Sequence, residues 1–217
     1  METMRESDGI GRVIRGPACV AEGAAWLAAR EPRFAHALER AGEVPLRLRE
    51  DGYGALLSAI VSQQVSVASA RAIWGRLEAA GLTEPAAVAG AGDDALRACG
   101  LSRQKIRYAR ALAEAEIDYA ALRAAPEAEV VATLTAVPGV GRWTAEIYAM
   151  FSLGRADVFA PGDLALQEAA RLLFGLPERP AERALREMAE AWSPWRAVAA
   201  RLLWAYFHVE TAREGVT

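Results

Sequence analysis

The chain reads as nearly all helix, and three observations carry that expectation. Ala and Leu dominate over β-branched residues, apolar side chains recur mostly every three to four positions, and the one extended stretch is too short to make a sheet. With 217 residues, 53% of them hydrophobic, the chain can bury a sizeable core, as one large domain or two small lobes. No apolar run approaches the ~20 residues of a membrane span. The start, Met1-Glu-Thr-Met-Arg-Glu-Ser-Asp8, is acidic and polar with no apolar signal core, which implies a cytoplasmic, reducing location and no membrane.

Residues 1–18 read as irregular, with a short extended piece at Arg12-Val13-Ile14 and punctuation at Gly16-Pro17. Helical patterns follow near 20–30 and 32–41. Asp51-Gly52-Tyr53-Gly54 then breaks the chain before Leu56, Ile60, Val67 and Trp74, which fall on one helical stripe. Gln63 lies on that stripe with Gln64 beside it, and amides do not belong in a core, so Gln63-Gln64-Val65 is placed at a helix-helix junction with Ser66 capping the next helix. Shorter helices are predicted from Thr83, from Asp93 to Cys99 and from Ser102, with Gly100 as the residue beyond a helix end. Pro126 opens a helix that runs into Val137-Pro-Gly-Val-Gly141. Beyond the next helix, 154–161 is a connector, Asp163 opens a helix, Pro180 another, and Pro194 the last, through about Val209.

Composition excludes several kinds of site. Cys19 and Cys99 are the only cysteines and His36 and His208 the only histidines, so neither a four-cysteine cluster nor a multi-histidine metal site can be built; no cofactor is expected. The formal charge of -3 carries no basic excess, yet Arg97, Arg103, Lys105, Arg107 and Arg110 are concentrated in one segment. They form either a positive face on an acidic body or a solvated helix face.

The most informative piece is Val137-Pro138-Gly139-Val140-Gly141-Arg142-Trp143-Thr144. Two glycines flank one valine between two helices. Gly139 and Gly141 can take positive φ or admit a close backbone approach, while the next helix directs its first-turn N–H groups and its positive dipole end the same way. A phosphate fits there, although a bare glycine pair can also be an ordinary tight turn.

This hairpin, followed by the Pro-x-Asp element Pro161-Gly162-Asp163, resembles the helix-hairpin-helix DNA glycosylase superfamily. Trp143 and the block Trp192-Ser193-Pro194-Trp195-Arg196 followed by Trp204 are similar to its bacterial DNA-3-methyladenine glycosylase II type. The resemblance covers about 50–210. It implies two helical lobes with the active site in the cleft between them, 52–155 forming the hairpin lobe and 1–51 plus 156–217 the lobe carrying the aspartate. It further implies a monomer acting on double-stranded DNA that contains alkylated bases.

An N-glycosylase separates a base from C1′ through an oxocarbenium-like transition state, which a carboxylate beneath the sugar stabilises. The resemblance makes Asp163 that carboxylate, stabilising charge or activating water; local sequence reads it equally as a helix cap. Asp157 is structural. Relatives with strand-cleaving activity place a Schiff-base lysine where Trp143 stands, and Lys105 is the only lysine, so a monofunctional enzyme is implied over a bifunctional glycosylase/lyase. A non-catalytic helix-hairpin-helix DNA-binding protein is the other alternative. Trp143 and Trp204 line the base pocket by resemblance, with Ile147 and Tyr148 where an aromatic is often found, whereas Trp192 and Trp195 read as core. Gly139, Val140, Gly141, Arg142 and Thr144 would hold a DNA phosphate, with a monovalent cation at the hairpin carbonyls as a further possibility of the family. Gln64 matches the family position that fills the gap left by an extruded nucleotide, beside Gln63 in the same DNA-binding junction, or Gln63 and Gln64 satisfy helix ends.

Overall fold

The computed structural model describes residues 10–214. Its helices in order are α1 (Pro17–Arg30), α2 (Pro32–Ala41), α3 (Tyr53–Ser62), α4 (Val67–Ala79), α5 (Pro85–Gly90), α6 (Asp93–Ala98), α7 (Arg103–Glu114), α8 (Tyr119–Ala124), α9 (Glu127–Thr135), α10 (Arg142–Phe151), α11 (Leu164–Phe174), α12 (Glu182–Ala189) and α13 (Arg196–Glu214), with a 3-10 turn at Glu190–Trp192. Among the described residues the only β pairing is an isolated antiparallel bridge between Val13 and Arg155. The fold is all-α, as the Ala/Leu-rich periodicity requires. No helix of the described residues is long and apolar enough to cross a membrane.

The chain divides into two compact units, one of residues up to Leu48 and from Ala149 on, the other Arg49–Tyr148. In the first, Phe34 of α2 is fully buried, with Trp192 and Phe174 packed edge-on against it and Phe159 edge-on to Trp192. Trp195 is buried against α1, where a Cβ on Gly23 would lie 2.7 Å from the indole; a larger residue there would push the two apart. Trp192 and Trp195 are therefore core. The extended piece at 12–14 pairs with the connector, Ile14 donating to Gly154 O and Ala156 to Arg12 O. Gly154 has φ +66 and a Cβ there would meet Ile14 O at 2.6 Å, so the bridge needs glycine. Arg201 of α13 is fully buried and donates to the carbonyls of Leu46, Ala197 and Met150. Burial lowers its pKa to about 10, which leaves it charged at neutral pH.

In the second unit, Leu56, Leu57 and Ile60 of α3, Ile73 and Leu77 of α4, and Ile106, Ala109 and Leu112 of α7 form the core. Each fully buried aliphatic side chain contributes roughly 1.5–3 kcal/mol. Ser66 accepts from Ser69 N–H and Ser102 from Lys105 N–H, capping α4 and α7. Gly100, at φ +99, follows the C-cap of α6.

Several boundaries differ from expectation. Val67 is 78% exposed, because the chain breaks after Ser62 and α4 restarts the helical phase. The helix expected from Thr83 starts at Pro85, whose fixed φ suits a first turn; α1 likewise starts at Pro17 rather than near residue 20. Pro126 is the N-cap of α9, and α12 and α13 begin two residues beyond Pro180 and Pro194. Helix α8 was not anticipated; Asp118 caps it by accepting from the N–H groups of Ala120 and Ala121. The last helix runs to Glu214, past Val209.

Candidate functional site

In the second unit, the hairpin is a tight turn in which Val140 N–H donates to Val137 O at 3.0 Å. Pro138 and Gly139 occupy its centre, and Gly139 takes φ +94, the left-handed value that a type II turn requires after proline. Glycine is doubly required at 139, because a Cβ would lie 2.3 Å from Cγ of Tyr108. Val140 is buried and anchors the turn. Gly141 is different. Its φ is not in the left-handed region, and a Cβ there would meet nothing within 4 Å. Neither backbone conformation nor packing within the fold requires glycine at 141.

Helix α10 starts immediately, with Ala145 N–H donating to Gly141 O. Arg142 and Trp143 are exposed, Trp143 at 45%, whereas Thr144 is buried, so a contact from Thr144 to DNA falls to its main chain. Arg142 Nε pairs with Glu146 Oε1 at 2.9 Å, and that carboxylate is buried. Part of the Arg142 charge is thus neutralised internally. Ile147 is half-buried; Tyr148 is buried, and its hydroxyl accepts from Gly52 N–H at 2.9 Å, tying α10 to the start of α3. Burial pushes the Tyr148 phenol up to about 12.

The paired glutamines separate in role. Gln63 is the C-cap of α3, and its Nε2 donates to Gly139 O at 2.9 Å, so its amide is committed to the hairpin. Gln64 is exposed and sits at φ +56. The carbonyls of Val137, Gly139 and Gly141 accept from Val140 N–H, Gln63 Nε2 and Ala145 N–H respectively.

In the first unit, Asp163 N–H donates to Ala160 O, turning the chain into α11, whose N-cap is Asp163 itself. Asp163 Oδ1 accepts from Leu166 N–H at 3.0 Å and from Trp204 Nε1 at 3.2 Å. Pro161 is buried and its carbonyl accepts from Gln167 Nε2, which ties the turn to α11. Trp204 is half-buried, its ring 5.7 Å from that of Phe151. Arg201, one turn earlier on α13, lies over the other partner of this pair, 4.6 Å from the Phe151 centroid. Asp157 accepts from Ser193 Oγ and forms a two-pronged pair with Arg196, a structural role.

The structure therefore joins Asp163 to Trp204, and Gln63 to Gly139. It reduces the basic segment. Arg97 pairs with Asp93 and Asp94, Arg110 pairs with Asp93 and donates to Ala89 and Ala91 carbonyls, and Lys105 Nζ donates to Val61 O. Arg103 and Arg107 are exposed. Sequence reasoning missed Tyr108, Glu146 and Phe151. Only Glu146 left a signal there, as a charge inside the apolar run of α10.

Residues 57–194 match the family described as HhH-GPD superfamily base excision DNA repair protein. DNA-3-methyladenine glycosylase 1 of Schizosaccharomyces pombe is 32% identical over 166 residues, covering 72% of this chain and 72% of that protein. Among solved structures, a DNA-3-methyladenine glycosidase from Bacillus halodurans superposes with a TM-score of 0.79 at 35% identity, over 93% of this chain and 94% of that one. The Schizosaccharomyces pombe 3-methyladenine DNA glycosylase in complex with abasic DNA gives 0.73 at 29% identity, over 84% and 95%.

Proposed function

This chain belongs to the HhH-GPD superfamily of base excision DNA repair proteins, and from that premise we propose that it is a monofunctional DNA glycosylase releasing alkylated purines of the 3-methyladenine kind. The observation that carries the reading is the Asp163 carboxylate, oriented by the Leu166 N–H and by the indole N–H of Trp204. A carboxylate held in one direction is a preorganised negative charge, which a passing solvated aspartate is not.

The chemistry follows from charge. An N3- or N7-alkylated purine is a cation, so the C1′–N bond breaks with its electrons going to the base, which leaves neutral. The sugar becomes oxocarbenium-like, Asp163 stabilises it, and water adds at C1′ with release of a proton. Trp204, beside Asp163, offers an electron-rich face to the cationic base, and the exposed Trp143 indole is suited to the same kind of contact, such a face being worth about 0.5–2 kcal/mol. The N–H groups of Gly139 and Gly141 hold the DNA backbone without reading sequence. Gln64 fills the vacated stack.

Lys105, the only lysine, donates Nζ to the Val61 carbonyl. A lyase step therefore has no amine at the Trp143 position, and borohydride trapping on an abasic-site duplex is expected to give no adduct above background. The central test is release of 3-methyladenine from methylated duplex DNA by the Asp163→Asn protein. Release at the wild-type rate would leave a helix-hairpin-helix protein that binds DNA by another logic.

A further inference from the structure

We propose that Gln63 is a positioning residue that couples the hairpin's hold on the DNA backbone to the insertion of Gln64 into the base stack. The proposal rests on the glycosylase reading above for its biological meaning, and on the geometry of one unit for its argument.

Gln64 is a non-glycine residue at φ +56. That conformation costs on the order of 1 kcal/mol and persists only where the surroundings hold it. Packing does not hold it. Gln64 is exposed, and a cavity of about 250 Å³ lies beside the turn, lined by Gln63, Gln64, Ser102, Gln104, Lys105 and Tyr108 among others. What flanks the turn instead is hydrogen bonding. On one side Gln63 Nε2 donates to Gly139 O at 2.9 Å; on the other, Ser66 Oγ accepts from Ser69 N–H and fixes the start of α4.

The far end of the Gln63 bond is the same glycine whose N–H is assigned to the phosphate. Gly139 is itself immobilised, because the Tyr108 ring fills the space of its missing Cβ and the Tyr108 hydroxyl accepts from Gln104 Nε2 at 2.6 Å. Helix α7 also grips the last turn of α3, through Lys105 Nζ to Val61 O at 2.6 Å. The junction carrying Gln64 and the hairpin are thus joined directly by Gln63 and indirectly through α7. A backbone clamped at Gly139 finds Gln64 already aimed, so ordering cost is not incurred when the nucleotide leaves the stack.

The test uses the full chain with Gln63→Leu, which keeps bulk and loses the N–H, and Gln63→Asn, which stays polar but is too short to reach Gly139 O. Single-turnover release is measured for 7-methylguanine paired with cytosine and for the same base facing an abasic analogue, where extrusion is already easy. Both variants are expected to slow the paired substrate about fivefold, the effect of one neutral hydrogen bond, and the unpaired one less than twofold. Combining Gln63→Leu with Gln64→Gly should add little to Gln64→Gly alone. Equal slowing on both DNAs, or additive losses, overturns the proposal. A 2-aminopurine reporter beside the extruded position gives the same comparison without catalysis. If the wild-type protein unstacks it but releases no base, the glycosylase reading fails; if Gln63→Leu unstacks it as well as wild type, the coupling fails.

Discussion

Replacing Trp204 by Phe tests the hydrogen bond to Asp163 while keeping an aromatic ring in place. The indole Nε1 lies 3.2 Å from Asp163 Oδ1, and the ring packs 5.7 Å from Phe151. Phe keeps a ring against Phe151 while removing the donor and part of the indole face. A hydrogen bond to a charged acceptor contributes about 1.5–3 kcal/mol, and the long distance argues for the low end, so about 1.5 kcal/mol, or roughly tenfold in rate. The cap from Leu166 N–H remains, so α11 should stay intact and stability should fall by less than about 1.5 kcal/mol. Single-turnover base release from methylated duplex, binding to an abasic-analogue duplex, and urea denaturation read the three quantities separately. Release should be about tenfold slower with binding nearly unchanged; Trp204→Ala should be slower again, by the lost ring face. A Trp204→Phe protein that releases base at the wild-type rate would show that the indole N–H does not orient the carboxylate. Activity lost only in proportion to stability would return Trp204 to core packing.

Asp163→Asn retains an oxygen to cap α11, so urea denaturation should show a stability change within about 1 kcal/mol while base release falls by at least about a hundredfold. The two hairpin glycines should separate in the same assays. Gly139→Ala drives a Cβ into the Tyr108 ring at φ +94 and should destabilise the protein by more than about 1 kcal/mol. Gly141→Ala meets nothing in the chain, so it should leave the urea midpoint unchanged and weaken DNA binding only. Tyr148 supplies a pH test. Its buried phenol is raised to about 12 from the ordinary value near 10, so the fold favours the neutral form. The stability this contributes is present below pH 10 and lost as pH rises from 10 through 12, about 2–3 kcal/mol in full. Tyr53 and Tyr119 are also raised by burial and steepen the loss; Tyr148→Phe should make the decline in urea midpoint between pH 9 and 12 shallower.

What could be read from sequence was whatever is enforced locally. Pro138-Gly139 dictates a turn whose second position needs positive φ, and Ser66 and Ser102 announce the helices they cap because the capping bond closes within three residues. Asp118 carries the same kind of signal for α8, since its capping bonds to Ala120 and Ala121 close within three residues. Partners distant in sequence were not legible. Gln63 bonds to a carbonyl 76 residues away, and no local pattern distinguishes that amide from one aimed at DNA. The two readings of the basic segment stayed open for a related reason: sequence counts charges, whereas the aspartates and carbonyls that Arg97, Arg110 and Lys105 bond to are positioned only by the fold.

The cap and the catalytic carboxylate at Asp163 looked like competing explanations because each accounts for an aspartate before a helix. In the folded chain they describe one arrangement. The Leu166 N–H that makes Asp163 a cap also removes the rotational freedom of its carboxylate, and Trp204 Nε1 adds a second donor to the same oxygen from a helix distant in sequence. Capping accounts for the first bond and does not call for the second, which links α11 to α13. The second bond satisfies the indole N–H of a half-buried tryptophan and, in the proposed function, also sets the direction of the carboxylate. Conserving the cap with Asn while losing base release, and conserving the ring with Phe while slowing it, would together assign the charge to Asp163 and its aim to Trp204.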